Sequence, residues 1–156
     1  MQAHQQEQSS DPVWVQICEA GELDPVARLA SRLAILQHPE AQDCTFYRPD
    51  EFDADAEEED LGDAKVLFLG PFQVPAEWDE AERAEFFGED DPECFVSAYI
   101  ECEAKPAAKE YFTAESGDYL ACMQSDGRVQ MFYLYDYFED DSGRQCVLIR
   151  EDEELE

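Results

Sequence analysis

Between residues 118 and 150, three apolar runs, DYLACMQ, RVQMFYLYDYF and RQCVLIR, are separated by SDGR (125–128) and EDDSGR (139–144). Asp-Gly and Ser-Gly between apolar runs are turn signals with a mechanism, because glycine reaches positive φ at no steric cost. This pattern predicts a three-stranded antiparallel meander. Within the middle run Val129, Met131, Tyr133, Tyr135 and Tyr137 alternate with Gln130, Phe132, Leu134, Asp136 and Phe138. A strand sends these two sets to opposite faces, and both are largely apolar or aromatic. That suits a central strand covered on both sides, or one whose tyrosine face meets a partner.

The N-terminal part carries helix signals instead. Asp24-Pro25-Val26 is an N-cap followed by a first-turn proline. Val26, Leu29, Leu33 and Leu36 then recur at helical spacing until His38-Pro39 stops them. Asp11-Pro12-Val13 opens an earlier segment, VWVQICEAG, whose Val, Trp and Ile favour a strand. Trp14, Ile17 and Cys18 nonetheless share a helical face and Gly21 is placed to end it, so a short helix is preferred. After Pro39, CTFY (44–47), KVLFLG (65–70) and CFVSAYIECE (94–103) read as strands. PAEWDEAERAEFFG (75–88) reads as a helix, and PAAKEYFTAES (106–116) as a short one. The expected class is α+β: an N-terminal helical hairpin, turned at AGELD, plus a mostly antiparallel sheet ending in the meander. Residues 11–150 form the expected single domain, between a polar tail at 1–10 and an acidic tail at 151–156.

The 156 residues are enough to bury a core, and a 44% hydrophobic content with ten Phe and seven Tyr argues against wholesale disorder. The start, MQAHQQEQSSDP, lacks the basic region and apolar run of a signal peptide, and no apolar run approaches a membrane span. Cytoplasmic residence with reduced thiols is the expectation. Six cysteines form no CxxC pair and mostly sit in apolar runs, where free Cys acts as a small buried hydrophobe.

The charge is the outlier. Forty Asp and Glu against ten Lys and Arg give −30. Residues 50–63, 77–93 and 136–156 each hold nine acidic side chains, 27 of the 40 together. Such a chain lacks the basic footprint that direct nucleic-acid or anionic-membrane binding requires. The stretch DADAEEEDLGD fails as a calcium loop, because a start at Asp53 puts Glu58 where glycine is needed and Ala64 where the closing Glu belongs. The only histidines are His4 and His38, which leaves zinc and Cys-His nucleophile chemistry without parts. No phosphate-cradling glycine loop occurs, and with forty acidic residues a carboxylate pair arises by chance. No enzyme, no cofactor and no metal centre is expected.

Rows of carboxylates coarsely resemble a nucleic-acid backbone, whether along an extended segment through Asp53, Asp55, Glu57 and Glu59 or along a helix. A solvated face and a halophilic habitat, which would suit only three lysines, are the bland readings. The functional reading is a cytoplasmic inhibitor that occludes a basic partner, with charge setting a fast on-rate and aromatic anchors the specificity. Its expected contact residues are Asp50, Glu51, Asp53, Asp55, Glu57, Glu58, Glu59, Asp60, Glu80, Glu82, Glu85, Glu89, Asp90, Asp91, Tyr137, Glu139, Asp140 and Asp141. In size and acidity, and in lacking catalytic parts, the chain resembles the immunity proteins that bacteria make against their own nuclease toxins. SGDYLACMQSDGRV (116–129) also resembles the Gly-Asp-strand-turn-Val pattern of the SUKH immunity superfamily. That resemblance implies a cognate nuclease toxin as partner. The alternatives are a DNA mimic that blocks a DNA-binding, restriction or CRISPR complex, and an acidic adaptor without inhibitory action.

Overall fold

The computed structural model describes residues 12–50, 52–53, 55–124 and 126–151. The polar tail at 1–10, the cap assigned to Asp11, Glu51 and residues 152–156 of the acidic tail lie outside the described residues. Helix α1 (Pro12–Ala20) and helix α2 (Pro25–Leu36) come first and pack on each other. Strands β1 (Gln42–Arg48) and β2 (Glu59–Pro71) follow, then helix α3 (Glu80–Phe87) and a 3-10 turn (Pro92–Cys94). Strands β3 (Phe95–Cys102), β4 (Tyr119–Met123), β5 (Val129–Asp140) and β6 (Gly143–Glu151) complete the chain. Among the described residues no helix is long and apolar enough to cross a membrane.

The mixed α+β class holds, and β4, β5 and β6 pair as consecutive antiparallel neighbours. What the sequence did not indicate is closure. The six strands form a closed antiparallel barrel in the order β1-β2-β3-β6-β5-β4, because β1 pairs with β4 as well as with β2. Closure satisfies the backbone groups that an open meander would leave along two edges. Inward positions of every strand fill the interior: Phe46, Val66, Ile100, Leu120, Phe132 and Leu148 are all in one buried cluster. Five of the six cysteines are buried and all six are free thiols.

Outside the barrel, α2 lies on β3, β2 and β6. Its Ile35 and the ring of Tyr99 close over Gly143, where a Cβ would come within 3.0 Å of both and where φ is +135°. Trp14, Cys18 and Leu29 form a second, smaller core between the helices. Helix α3 begins later than its sequence suggests. Asp79 caps it in a reciprocal box with Glu82, so residues 75–78 stay outside the helix. An aromatic cluster docks it, with Phe86 against Phe72, Trp78, Phe95 and Tyr135.

Two further expectations fail for identifiable reasons. PAAKEYFTAES is not helical. Arg48 and Arg144 donate to the carbonyls of Thr113 and Ala114, so the end of this segment is tied to β1 and β6. Phe112 is meanwhile drawn onto Phe46 in the core, with ring centroids 5.3 Å apart. Strand β2 begins at Glu59 rather than at Lys65, because β1 extends its pairing to Arg48↔Glu59. Glu151 likewise closes β6, opposite Met131, rather than opening a tail.

Candidate partner-binding surface

Antiparallel connectivity assigns the acidic blocks to ends of the barrel. The β1–β2, β3–β4 and β5–β6 connections leave one end, while the β2–β3 connection, which carries α3, leaves the other. Asp50, Asp53, Asp55, Glu57 and Glu58 are exposed in the first of these connections, and Glu59 and Asp60 are exposed at the start of β2. Asp140 and Asp141 are exposed at the same end. Glu80, Glu82, Glu85, Glu89, Asp90 and Asp91 are exposed on or just after α3, at the opposite end. The structure therefore brings the first block and residues 136–141 of the third together, and it separates the second block, and Glu151 at the end of β6, from them.

Among the described residues of the first block, the segment from Asp50 to Asp55 does not run as an extended row of carboxylates. Asp50 Oδ1 accepts from the amides of Phe52 and Asp53 at 2.7 and 3.0 Å, and Asp53 Oδ1 accepts from that of Asp55 at 3.0 Å. These bonds curl the segment into turns. The curl leaves Phe52 94% exposed among the carboxylates.

Inward of this end lies a network of ion pairs. Arg28 pairs with Glu101 and, at 2.8 Å, with Glu139, while Arg32 reaches Glu101 at 3.3 Å. Arg144 bridges Glu139 at 3.0 Å and lies over the ring of Tyr137, 4.2 Å from its centroid. The Tyr137 hydroxyl bonds Glu115 at 3.0 Å. Tyr137 and Glu139 are therefore bound inward, and their carboxylate and phenol groups are occupied by the chain itself. Burial pushes the Glu101 carboxyl above its usual range, with Arg28 and Arg32 opposing that shift. The network lines a cleft of about 400 Å³ between α1 and the barrel, beside Trp14, Cys18 and Tyr111. Burial also raises the Cys18 thiol to about 11 and the Tyr111 phenol to about 12, so neither group ionises near neutrality.

Elsewhere Arg48 makes a two-point bond to buried Asp118 at 2.7 and 2.9 Å, Lys65 pairs with Asp43 at 2.6 Å, and Arg128 pairs with Asp126 at 3.1 Å. Among the described residues, at least six of the ten Lys and Arg side chains are thus engaged by carboxylates of the same chain. Arg28 and Arg32 are buried outright. The surface presented to a partner is consequently more one-signed than composition suggests.

One wall of the barrel bears a different chemistry. Pairing aligns Asp60, Tyr47, Tyr119, Tyr133 and Ile149 across β2, β1, β4, β5 and β6. A second row aligns Asp63, Thr45, Ala121, Met131 and Glu151. Cross-strand partners point to the same side, and the intervening Cys44, Phe46, Leu120, Cys122, Phe132 and Leu134 are the buried ones, so both rows face outward. The rings of Tyr119 and Tyr133 meet edge to face, 5.2 Å between centroids. Met123 and Val129 extend the patch and are 54% and 57% exposed. Burial, then the nearby Glu151 carboxylate, holds the Tyr119 phenol above its usual range. At the upper edge of this wall an open depression of about 500 Å³ is lined by Arg48, Asp50, Glu115, Asp118, Tyr119 and Tyr133.

Strand alternation puts Tyr133, Tyr135 and Tyr137 on one face, and the structure gives them three settings. Tyr133 joins the outer wall, whereas Tyr135 is held under α3 with its hydroxyl donating to the Phe86 carbonyl. Tyr137 belongs to the ion network. Tyr47 and Tyr119 went unremarked in the sequence. Their alternation with the buried Phe46 and Leu120 was the available signal. Comparison of the chain with protein-family models, with curated proteins and with solved structures gives no significant match.

Proposed function

We propose that this protein is a non-catalytic inhibitor that binds and neutralises a basic toxin, of which a nuclease is the leading candidate. The observation that carries this reading is the internal use of cations. Arg28, Arg32, Arg48 and Arg144 serve the fold, each held by carboxylates of the chain, while the loop after β1 and the end of β5 display theirs to solvent. A surface of one sign steers a basic protein into encounter and suppresses acidic competitors. A nuclease must carry positive charge to hold its own substrate, and the same charge would hold this surface. Cytoplasmic action, against a toxin that acts on the cell's own nucleic acid, completes the proposal.

The test is genetic and direct. Each gene adjacent to this one is expressed alone in a laboratory host, and any that arrests growth is co-expressed with this chain. Restored growth, together with a complex on gel filtration that weakens with added salt, is the expected result. A toxic neighbour unaffected by co-expression, with no complex formed, would remove the inhibitor reading. Competition with duplex DNA for several unrelated DNA-binding proteins would instead identify a DNA mimic.

A further inference from the structure

The wall of the barrel that no helix among the described residues covers is a better docking site than the acidic segments themselves. Helix α2 covers β3, β6 and part of β2, and α3 covers Phe95 and Tyr135. The outward side chains of β1 and β4 and the first half of β5 lie beyond both. We infer that the row Tyr47–Tyr119–Tyr133, with Met131, is the anchoring centre for a protein partner whose own surface carries an apolar or aromatic centre ringed by Lys and Arg. This inference rests on the inhibitor reading and gives it an address.

Area decides the partner's chemistry. From Tyr47 to Ile149 the wall spans three inter-strand gaps, and from Val129 to Tyr133 it runs four residues along β5, giving roughly 14 Å by 14 Å, or about 200 Å². A stable interface covers about 800 Å² on each side, so roughly three quarters of any footprint must fall outside the tyrosine centre. What lies outside is anionic: Asp60 and Asp63 on β2 at the ends of the two rows, with the exposed carboxylates of residues 53–59 beyond them. Lys65, on the same side of β2, is already tied to Asp43 at 2.6 Å. A partner that covers this wall therefore meets carboxylates around its margin and must bring cations there.

Two features match that partner. Tyrosine combines large apolar area with a polar tip at little rotamer cost, the property that makes it frequent at energetic centres of interfaces. The depression above the row presents Asp50 beside the rings of Tyr119 and Tyr133, while its Arg48 is committed to Asp118 and its Glu115 to Tyr137. A carboxylate beside aromatic faces suits one inserted guanidinium or ammonium group. A second copy of this chain is the wrong occupant, since each copy carries −30 and would set carboxylates against carboxylates.

The test uses the full chain, isotopically labelled, and two hexapeptides followed by amide chemical shifts at low salt. One peptide alternates arginine with tryptophan and the other alternates arginine with glycine, so their charge is equal. The tryptophan peptide is expected to bind about tenfold more tightly and to shift Tyr47, Ala121 and Tyr133 together with residues 55–59. The double substitution Tyr119→Ser with Tyr133→Ser should abolish that advantage and leave the glycine peptide unaffected. The triple substitution Glu57→Gln, Glu58→Gln and Glu59→Gln, which disturbs no packing, should weaken both peptides alike. Equal affinities with shifts confined to the acidic segments would overturn the wall as docking centre while leaving an acid-driven inhibitor standing. Failure of both peptides to bind would overturn both. A concentration-dependent dimer in sedimentation that Tyr133→Ser dissolves would assign the wall to a second copy and also overturn the inference.

Discussion

Arg28 and Glu101 form an ion pair in which each side chain is only 4% exposed, at the seam between α2 and the barrel. Arg28 also holds Glu139 at 2.8 Å, so a single guanidinium ties α2 to both β3 and β5. Arg32, one turn further along α2, adds the Cys102 carbonyl at 2.8 Å. In a chain with forty acidic groups, these arginines let the helix pair approach the sheet without stacking carboxylate on carboxylate.

Removing one partner of this pair leaves a buried carboxylate short of charge. Arg28→Ala is expected to lower the unfolding free energy by about 3 kcal/mol at pH 8. The deficit should shrink toward pH 5. Burial already sets the Glu101 carboxyl above its usual 4.5, and losing Arg28 raises it further. A group raised in the folded state contributes its stability below the unfolded value and loses it as pH rises through the folded one. The variant therefore loses more than the parent between pH 5 and pH 8, and paired urea titrations at the two values measure the difference. A deficit that grows on acidification would contradict this account.

The tyrosines of β5 should separate by role. Tyr135 is packed between Phe86 and Phe95 at 5.1 and 5.5 Å, and Tyr135→Ala is expected to cost about 3 kcal/mol. Tyr135→Phe removes only the bond to the Phe86 carbonyl and should cost about 1 kcal/mol. Tyr133→Ser, on the open wall, should stay within about 1 kcal/mol while changing partner affinity. Thermal melts of the three variants give the ranking.

Gly143 is a steric keystone beneath α2. Alanine there must adopt φ +135° and meets Ile35 Cδ1 and Tyr99 Cδ1 at 3.0 Å. Gly143→Ala is expected to cost about 2 kcal/mol or more, from backbone strain and overpacking together. Adding Ile35→Val should recover only the share of the overpacking due to Ile35, since the Tyr99 contact and the backbone strain remain. Full recovery would show that backbone strain at this position is negligible.

Salt should stabilise the free protein. Its exposed carboxylates repel one another, and the cations that could offset them are largely committed internally. Raising sodium chloride from about 0.01 M to about 1 M shortens the screening length roughly tenfold and should raise the melting temperature. A flat or falling midpoint would show that surface repulsion is not a significant opposing force.

The sequence by itself determined the elements whose signals are local. Asp24-Pro25 fixed the start of α2, and Asp24 indeed accepts from the Val26 amide. Apolar alternation and the Asp-Gly and Ser-Gly turns fixed β4, β5 and β6, because a strand's inward face and a glycine's positive φ are written within a few residues. The acidic blocks were equally legible as composition. Only the tertiary structure decided which of them share an end of the molecule, since that depends on strand direction around the barrel. Barrel closure rests on β1 meeting β4, a pairing between Tyr47 and Tyr119 that no local pattern encodes. The same closure assembles the outward tyrosine row from three strands, and long-range packing brings Arg48 and Arg144 onto the Thr113 and Ala114 carbonyls of a segment whose local signals are helical. Periodicity specifies which side of an element is apolar. It is long-range pairing, settled by the competition for burial and for charge partners, that specifies which elements stand side by side.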